Sequence, residues 1–446
     1  MSKLILILLY ISVLLSTQST FSWCNSAEED GIISEFQQYL RFPTAHPNPN
    51  YKPAQEFIVS KAKSIGLNTQ LLEFAKGKPI ILLTWTGKNP SWPSILLNSH
   101  LDSVPAEPEK WVHDPFQAIK DIKGNIYARG SQDDKCIGMQ YLEAINRLKT
   151  KGYQPLRTVH VSFVPDEEIG GRDGAGAFVS SKEFKNLHVG FVLDEGQASP
   201  DENYRVFYAD RIPWNLIIRA TGAPGHGSKL YDNSALENLM RSMDAITRFR
   251  SAQFDLVKAG LAEPGEVIAV NPVYVKAGTP TPTGFIMNLQ PSEAAAGFDI
   301  RLPPTADPQL VRKRISEEWA PAARNMTYQI LEKGPIWDTQ GRPLLTVAND
   351  SNPWWLLFEQ AIMATGGKLR KPEILASTTD ARFVREQGIP AFGFSPMANT
   401  PILLHDHNEF LNEGEYLKGI KVYAAIIESL SSFIESDHSI ASKDEL

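Results

Sequence analysis

The sequence predicts an α/β protein: a mixed, mostly parallel sheet covered by helices, into which a second, smaller α+β unit is inserted. Three observations carry this. From about residue 33, β-branched and aliphatic runs alternate with amphipathic helical stretches. Near residue 214 a compact strand and helix pattern of its own begins, with a Pro- and Gly-rich interruption at 272–284. After about residue 334 the first pattern resumes, and 446 residues are more than one ordinary core covers.

Taken in order, residues 1–24 come first. Lys3 precedes an almost wholly apolar run at 4–15 and a stretch of small polar residues at 16–22, which is the architecture of a secretory signal peptide. The run is shorter than the roughly 20 residues that cross a bilayer, so no membrane anchor is expected after cleavage. Residues 25–211 form the first part of the main domain. Helices are expected up to about residue 40 and over 53–65, strands over 68–74, 79–86 and 94–97, a helix over 137–148, and strands over 158–164 and 189–193.

The inserted unit occupies 212–333, with strands at 216–220 and 297–302, helices at 235–249 and 308–319, and a loop at 272–284. Residues 334–440 bring a helix at 354–364, a strand at 391–395 and a closing helix at 415–433. Residues 441–446 end in Lys443-Asp444-Glu445-Leu446, the retrieval signal read by a receptor of the endoplasmic reticulum. Entry signal and retrieval tail together predict a protein of the ER lumen, where the sequons at Asn325 and Asn349 become usable.

Composition narrows the function. A hydrophobic content of 42% with 21% charged residues is that of a globular chain, and a net charge of -7 offers no basic stripe for a phosphate backbone, so nucleic acid is not an expected partner. Of the two cysteines, Cys24 lies at the edge of the signal segment and Cys136 has no partner, so disulfides do not hold this fold.

Five segments that follow β-forming runs end in imidazole or carboxylate groups: His100 with Asp102, Asp133, Glu167 with Glu168, Glu195, and His405. In a mostly parallel sheet, ligands gather beyond the carboxyl ends of strands. Together these groups read as the ligand set of a two-metal hydrolase. Singly, the His100 and Glu195 segments fit a strand-end histidine and ordinary loop acidity equally well. Asp133 can offer one oxygen to each of two cations, whereas Asp134, at the start of a helix, reads as its cap. Glu167 and Glu168 precede Gly170 and Gly171, which let the chain curl so that neighbouring side chains share a site. His407 reads as supporting or structural. His46, His113, His160, His188 and His438 show no companion group and read as structural or exposed.

These segments, together with Tyr127 to Lys135, Val164 to Gly171 and Gly393-Phe394-Ser395-Pro396-Met397, resemble the dinuclear-zinc peptidase and amidohydrolase family that includes carboxypeptidase G and dipeptidases, and within it the aminoacylase branch. The resemblance covers about 33–433. It implies a zinc-exopeptidase-type catalytic domain with an inserted lid and dimerisation domain, two zinc ions per subunit, and a homodimer acting on small N-acyl amino acids. It also implies His100 and Glu195 on one zinc, Glu168 and His405 on the other, Asp133 bridging, Asp102 orienting His100, and Glu167 as general base for a hydroxide held by the metals. His226 of the lid would steady the oxyanion in a partner's site, while Asn288, Arg301 and Arg382 would bind substrate. Cleavage of dipeptides or acyl-hormone conjugates is the alternative within the family, and an inactive binding protein the alternative outside it. The terminal signals depart from the cytosolic animal members and bear on the physiological substrate.

Overall fold

Every residue of the strands Ser94–His100 and Val159–Val164 is buried, and strands without a solvent face belong in the middle of a sheet covered on both sides. In the computed structural model, which describes residues 26–434, they lie there. Cys24, His438, the signal segment and the retrieval tail lie outside the described residues. The eight-stranded sheet runs Asn68–Ala75, Lys78–Trp85, Val159–Val164, Ser94–His100, Val189–Asp194, Ala391–Phe394, Val206–Asp210, Glu373–Leu375. Four of its pairings are parallel and three antiparallel.

The helices cover it for reasons visible in their spacing. In Tyr51–Ile65 the buried residues Tyr51, Ala54, Ile58, Ala62 and Ile65 recur every three or four positions, one stripe of a helix. Gly66, at φ 73°, ends that helix in the left-handed conformation that glycine adopts without steric cost. Lys135–Thr150 is buried almost all round, because it packs against Tyr51–Ile65, the closing helix Glu413–Ser431 and the strand Ser94–His100. The late helices Pro353–Ala364 and Glu413–Ser431 share one core with residues from Ile32 to Val206, so the chain after the insertion returns to the first core.

A second core runs from Ile212 to Met326. Its four strands, Ala269–Ala277, Glu293–Leu302, Ile212–Thr221 and Met326–Glu332, are antiparallel throughout. In Ile212–Thr221, Trp214, Leu216, Ile218 and Ala220 are buried while Asn215, Arg219 and Thr221 are exposed. That period of two is a sheet with one wet face. Here one expectation is corrected: much of 272–284 is not loop but the edge strand Ala269–Ala277. Pro272 is tolerated because an edge position needs no second ladder bond, and the register shifts between Pro272 and Tyr274. No helix among the described residues is long and apolar enough to cross a membrane.

Candidate metal centre

The strand Ser94–His100 carries His100 to the carboxyl edge of the sheet, where its backbone N–H donates to Asp134 Oδ1 at 3.1 Å and the Ser99 hydroxyl donates to the same oxygen at 3.0 Å. Asp134 therefore does not cap its helix, as the sequence suggested. Its side chain makes no cap hydrogen bond, because it turns back to brace the strand end. Nδ1 of His100 donates to the Asp102 backbone carbonyl at 3.0 Å, which leaves Nε2 facing the centre.

The turn after Val159–Val164 solves the problem of two adjacent acids. Asp166 takes φ 66°, Glu167–Ile169 makes a 3-10 turn, and Gly170 and Gly171 follow at φ 107° and 61°. The chain leaves the sheet plane, so Glu167 and Glu168 both line one cavity of about 240 Å³ with Asp133, Glu195, Thr378, Thr379 and His405. Asp102 fixes the turn, accepting the Glu167 N–H at 3.2 Å and the Glu168 N–H at 3.1 Å. Glu195 follows the strand Val189–Asp194, whose last carboxylate accepts from the Asn98 amide at 3.0 Å. His405, at φ 61°, sits on a loop that Gln132 ties down through Pro401, Leu403 and Phe410.

The distances are those of facing ligands. Asp133 Oδ1 lies 3.0 Å from His100 Nε2, and Asp133 Oδ2 lies 3.2 Å from His405 Nε2. Glu168 stands 2.9 Å from His405 and Glu195 3.8 Å from His100. Burial pushes the Glu167 and Glu195 carboxyls well above their ordinary range, with the charge of Asp380 adding to it at Glu167 and that of Asp133 at Glu195. Hydrogen bonds to Asp133 and Glu168 lift the His405 imidazole to about 10. Three buried carboxylates arranged around two imidazole nitrogens form a site that demands a cation, and the donor set of His nitrogen and carboxylate oxygen fits zinc.

Two supporting residues escaped the sequence reading. Glu409, fully buried, accepts from Arg129 at 2.8 Å and from the backbone N–H groups of Gly130, Gln132 and Asp133 at 3.2, 2.7 and 3.3 Å, which fixes the loop that presents Asp133. An acid four residues after a candidate histidine was its one signal in the chain. His46 has a companion after all: its Nε2 lies 2.9 Å from Asp102 Oδ2. Sequence separation hid the pair.

The residues expected on a lid are placed differently. His226 and Asn288 come together on a short ribbon, with His226 paired to Leu289 and the Gly227 N–H donating to Asn288 at 2.7 Å. Both are exposed, and neither lines the cavity. Arg301 lies nearer, holding Asp299 and donating to Thr378, a cavity residue, at 3.3 Å. Arg382 donates to the carbonyls of Thr379 and Gly170 at 3.1 and 2.8 Å and borders a separate small cavity beside Asp210 and Pro213.

Residues 96–429 match Peptidase family M20/M25/M40. The chain is 42% identical over 406 residues to aminoacylase-1 of Mus musculus, covering 91% of this chain and 96% of that one. It is 41% identical over 413 residues to aminoacylase-1 of Dictyostelium discoideum, covering 91% and 99%. Among solved structures, the Bacillus subtilis YXEP protein, a dinuclear metal binding peptidase, superposes with a TM-score of 0.65 at 15% identity, covering 92% of this chain and all of that one.

Proposed function

The chain belongs to peptidase family M20/M25/M40 and is a hydrolase; from that premise we propose that it cleaves the amide bond of N-acyl-L-amino acids to a carboxylate and a free L-amino acid. Its likeness to aminoacylase-1 over 91% of the chain supports the substrate class. The observation that carries the chemistry is Asp133, with one oxygen toward His100 and the other toward His405. A carboxylate so placed would hold two cations, one at each oxygen.

His100 and Glu195 would hold one zinc ion, Glu168 and His405 the other, with Asp133 between them. Such ions, when bound, polarise the scissile carbonyl and make water acidic enough to attack near neutral pH. Glu167 takes the proton from the attacking water and returns it to the amine nitrogen as the C–N bond breaks. Asp102 keeps His100 in one tautomer and orientation through the Nδ1 bond to its carbonyl. Arg301, already at the cavity wall through Thr378, pairs with the substrate α-carboxylate, and Arg382 steadies the Thr379 wall from behind. His226 and Asn288 complete the site from a second copy of the chain, so the active form is a homodimer in which the ribbon supplies a hydrogen bond to the developing oxyanion.

Residues 1–24 and 441–446 direct the enzyme to the ER lumen, with the retrieval receptor as its protein partner; the exposure of Asn325 and Asn349 suits glycan attachment there. The substrate reading is tested on purified protein by measuring zinc per chain and the rates on N-acetyl-L-methionine, an aryl-acyl amino acid and a dipeptide. The N-acyl amino acid is expected to give the highest kcat/KM, with activity lost on chelation and restored by zinc. A preference for the dipeptide would replace this reading with a dipeptidase.

A further inference from the structure

Behind the turn that carries Glu167 and Glu168 lies a second, largely buried set of charged groups, of which the reaction as described uses only Asp102. Asp102 and Asp166 flank the turn, and His46 stands between them, with Nε2 2.9 Å from Asp102 Oδ2 and 4.0 Å from Asp166 Oδ1. The Tyr51 hydroxyl donates to Asp166 at 2.8 Å, and the Lys78 ammonium rests on the other Asp166 oxygen. Although His46, Asp102 and Asp166 have the spacing of a metal set, that ammonium already supplies the positive charge, and Asp102 is committed to two backbone N–H groups.

The backbone of His46 is fixed independently of its ring. Its N–H donates to Ser103 at 2.9 Å, and the Ser103 N–H donates to Thr44 at 3.1 Å, so the segment before His46 is laced to the segment after Asp102. A carboxylate accepts only, so Nε2 of His46 must carry the proton in this bond. Asp102 Oδ2 thus receives two donors, His46 Nε2 and the Glu168 N–H, while Oδ1 receives the Glu167 N–H.

We propose that His46 is a positioning residue for hydrolysis: by holding one oxygen of Asp102 it sets the rotation of that carboxylate, and through it the placement of Glu167 and Glu168 at the centre. The inference rests on the roles given above to Glu167 and Glu168. Residues that orient ligands from behind typically change affinity or activity 10- to 100-fold when removed. His46→Gln keeps an amide donor long enough to reach Asp102, whereas His46→Asn is polar but too short. On N-acetyl-L-methionine the asparagine variant is expected to lose about tenfold in kcat with KM within about twofold, unchanged zinc per chain and an unchanged melting temperature, while the glutamine variant stays near wild type. Glutamine and asparagine variants that behave alike, at either level, would overturn the proposal, as would a loss of kcat that extra zinc repairs. Glu167→Gln assayed in parallel separates the two layers: full activity there sinks the base assignment, whereas the His46 role stands or falls on the amide pair alone.

Discussion

At the centre, Asp133 faces two imidazoles while its own N–H is held by a buried Glu409; on the ribbon, among the described residues, His226 has for its ring the hydroxyl and N–H of Ser228, two residues away. Most residues around the centre are buried or half-buried, His405 being the exposed exception, and they are bonded from behind by others far off in sequence. Those around the ribbon, such as Leu230 and Met287, stand almost fully in solvent. A group that is to hold a cation at a fixed separation has to be rigid before substrate arrives, because a misplacement of about 1 Å can cost 100-fold in rate. A group that captures substrate can instead be delivered by closure or by a second subunit, the role proposed for the exposed His226 and Asn288.

The contrast can be broken at its strongest point first. Glu167→Gln is expected to lower kcat by about 10³ while zinc per chain stays normal, measured by turnover and metal analysis; full turnover would remove the base from the rigid set. On the other side, His226→Ala should lower kcat by about 10² with zinc and melting temperature unchanged. Mixing it with inactive Glu167→Gln protein should restore part of the activity, since one site of each mixed dimer is then complete. If mixing restores nothing, the ribbon does not serve a partner.

Two smaller effects sharpen the same division. Glu409→Gln removes charge, but not shape, from behind Asp133, so zinc affinity should fall about 10- to 100-fold and activity should return at high zinc. No such zinc rescue is expected for a variant of the inserted unit such as Arg301→Lys, whose loss of the forked hydrogen bond should appear as a higher KM. A separate effect concerns stability of the main sheet rather than turnover. His160 is buried on Val159–Val164, its pKa pushed down by burial to about 4. Above pH 6.5 neither folded nor unfolded ring binds a proton. Between pH 6.5 and about 4 only the unfolded one does, so stability should decline as pH falls, by up to about 3 kcal/mol. Denaturant titrations of wild type and His160→Asn at pH 7 and 4.5 check it: the variant should lose less.

Much of the frame was legible in the chain. The apolar runs at 79–86, 94–97, 158–164 and 189–193 became strands of the main sheet, because a strand buried on both faces has to be apolar and β-branched along its length. The edge strand Ala269–Ala277 was missed because Pro272 in a sequence argues for loop, and only the neighbouring strand reveals that its position needs no donor. Asp134 was misread for a related reason. An acid ahead of a helix is a cap on local grounds, and nothing local announces that Ser99 and the His100 N–H will compete for it.

What the sequence by itself determined is which residue types able to bind a cation or move a proton the chain carries, and that His100, the pair Glu167 and Glu168, and Glu195 follow strands, whereas Asp133 and His405 stand on loops: residue type, spacing and the glycines after Glu168 are local properties, and local sterics act on them directly. Tertiary structure alone decided how those groups are held. The bonds from Glu409 to the Asp133 loop and from His46 to Asp102 join residues more than fifty positions apart, and a contact between distant segments exists only once burial has made an unpaired polar group too costly to leave alone.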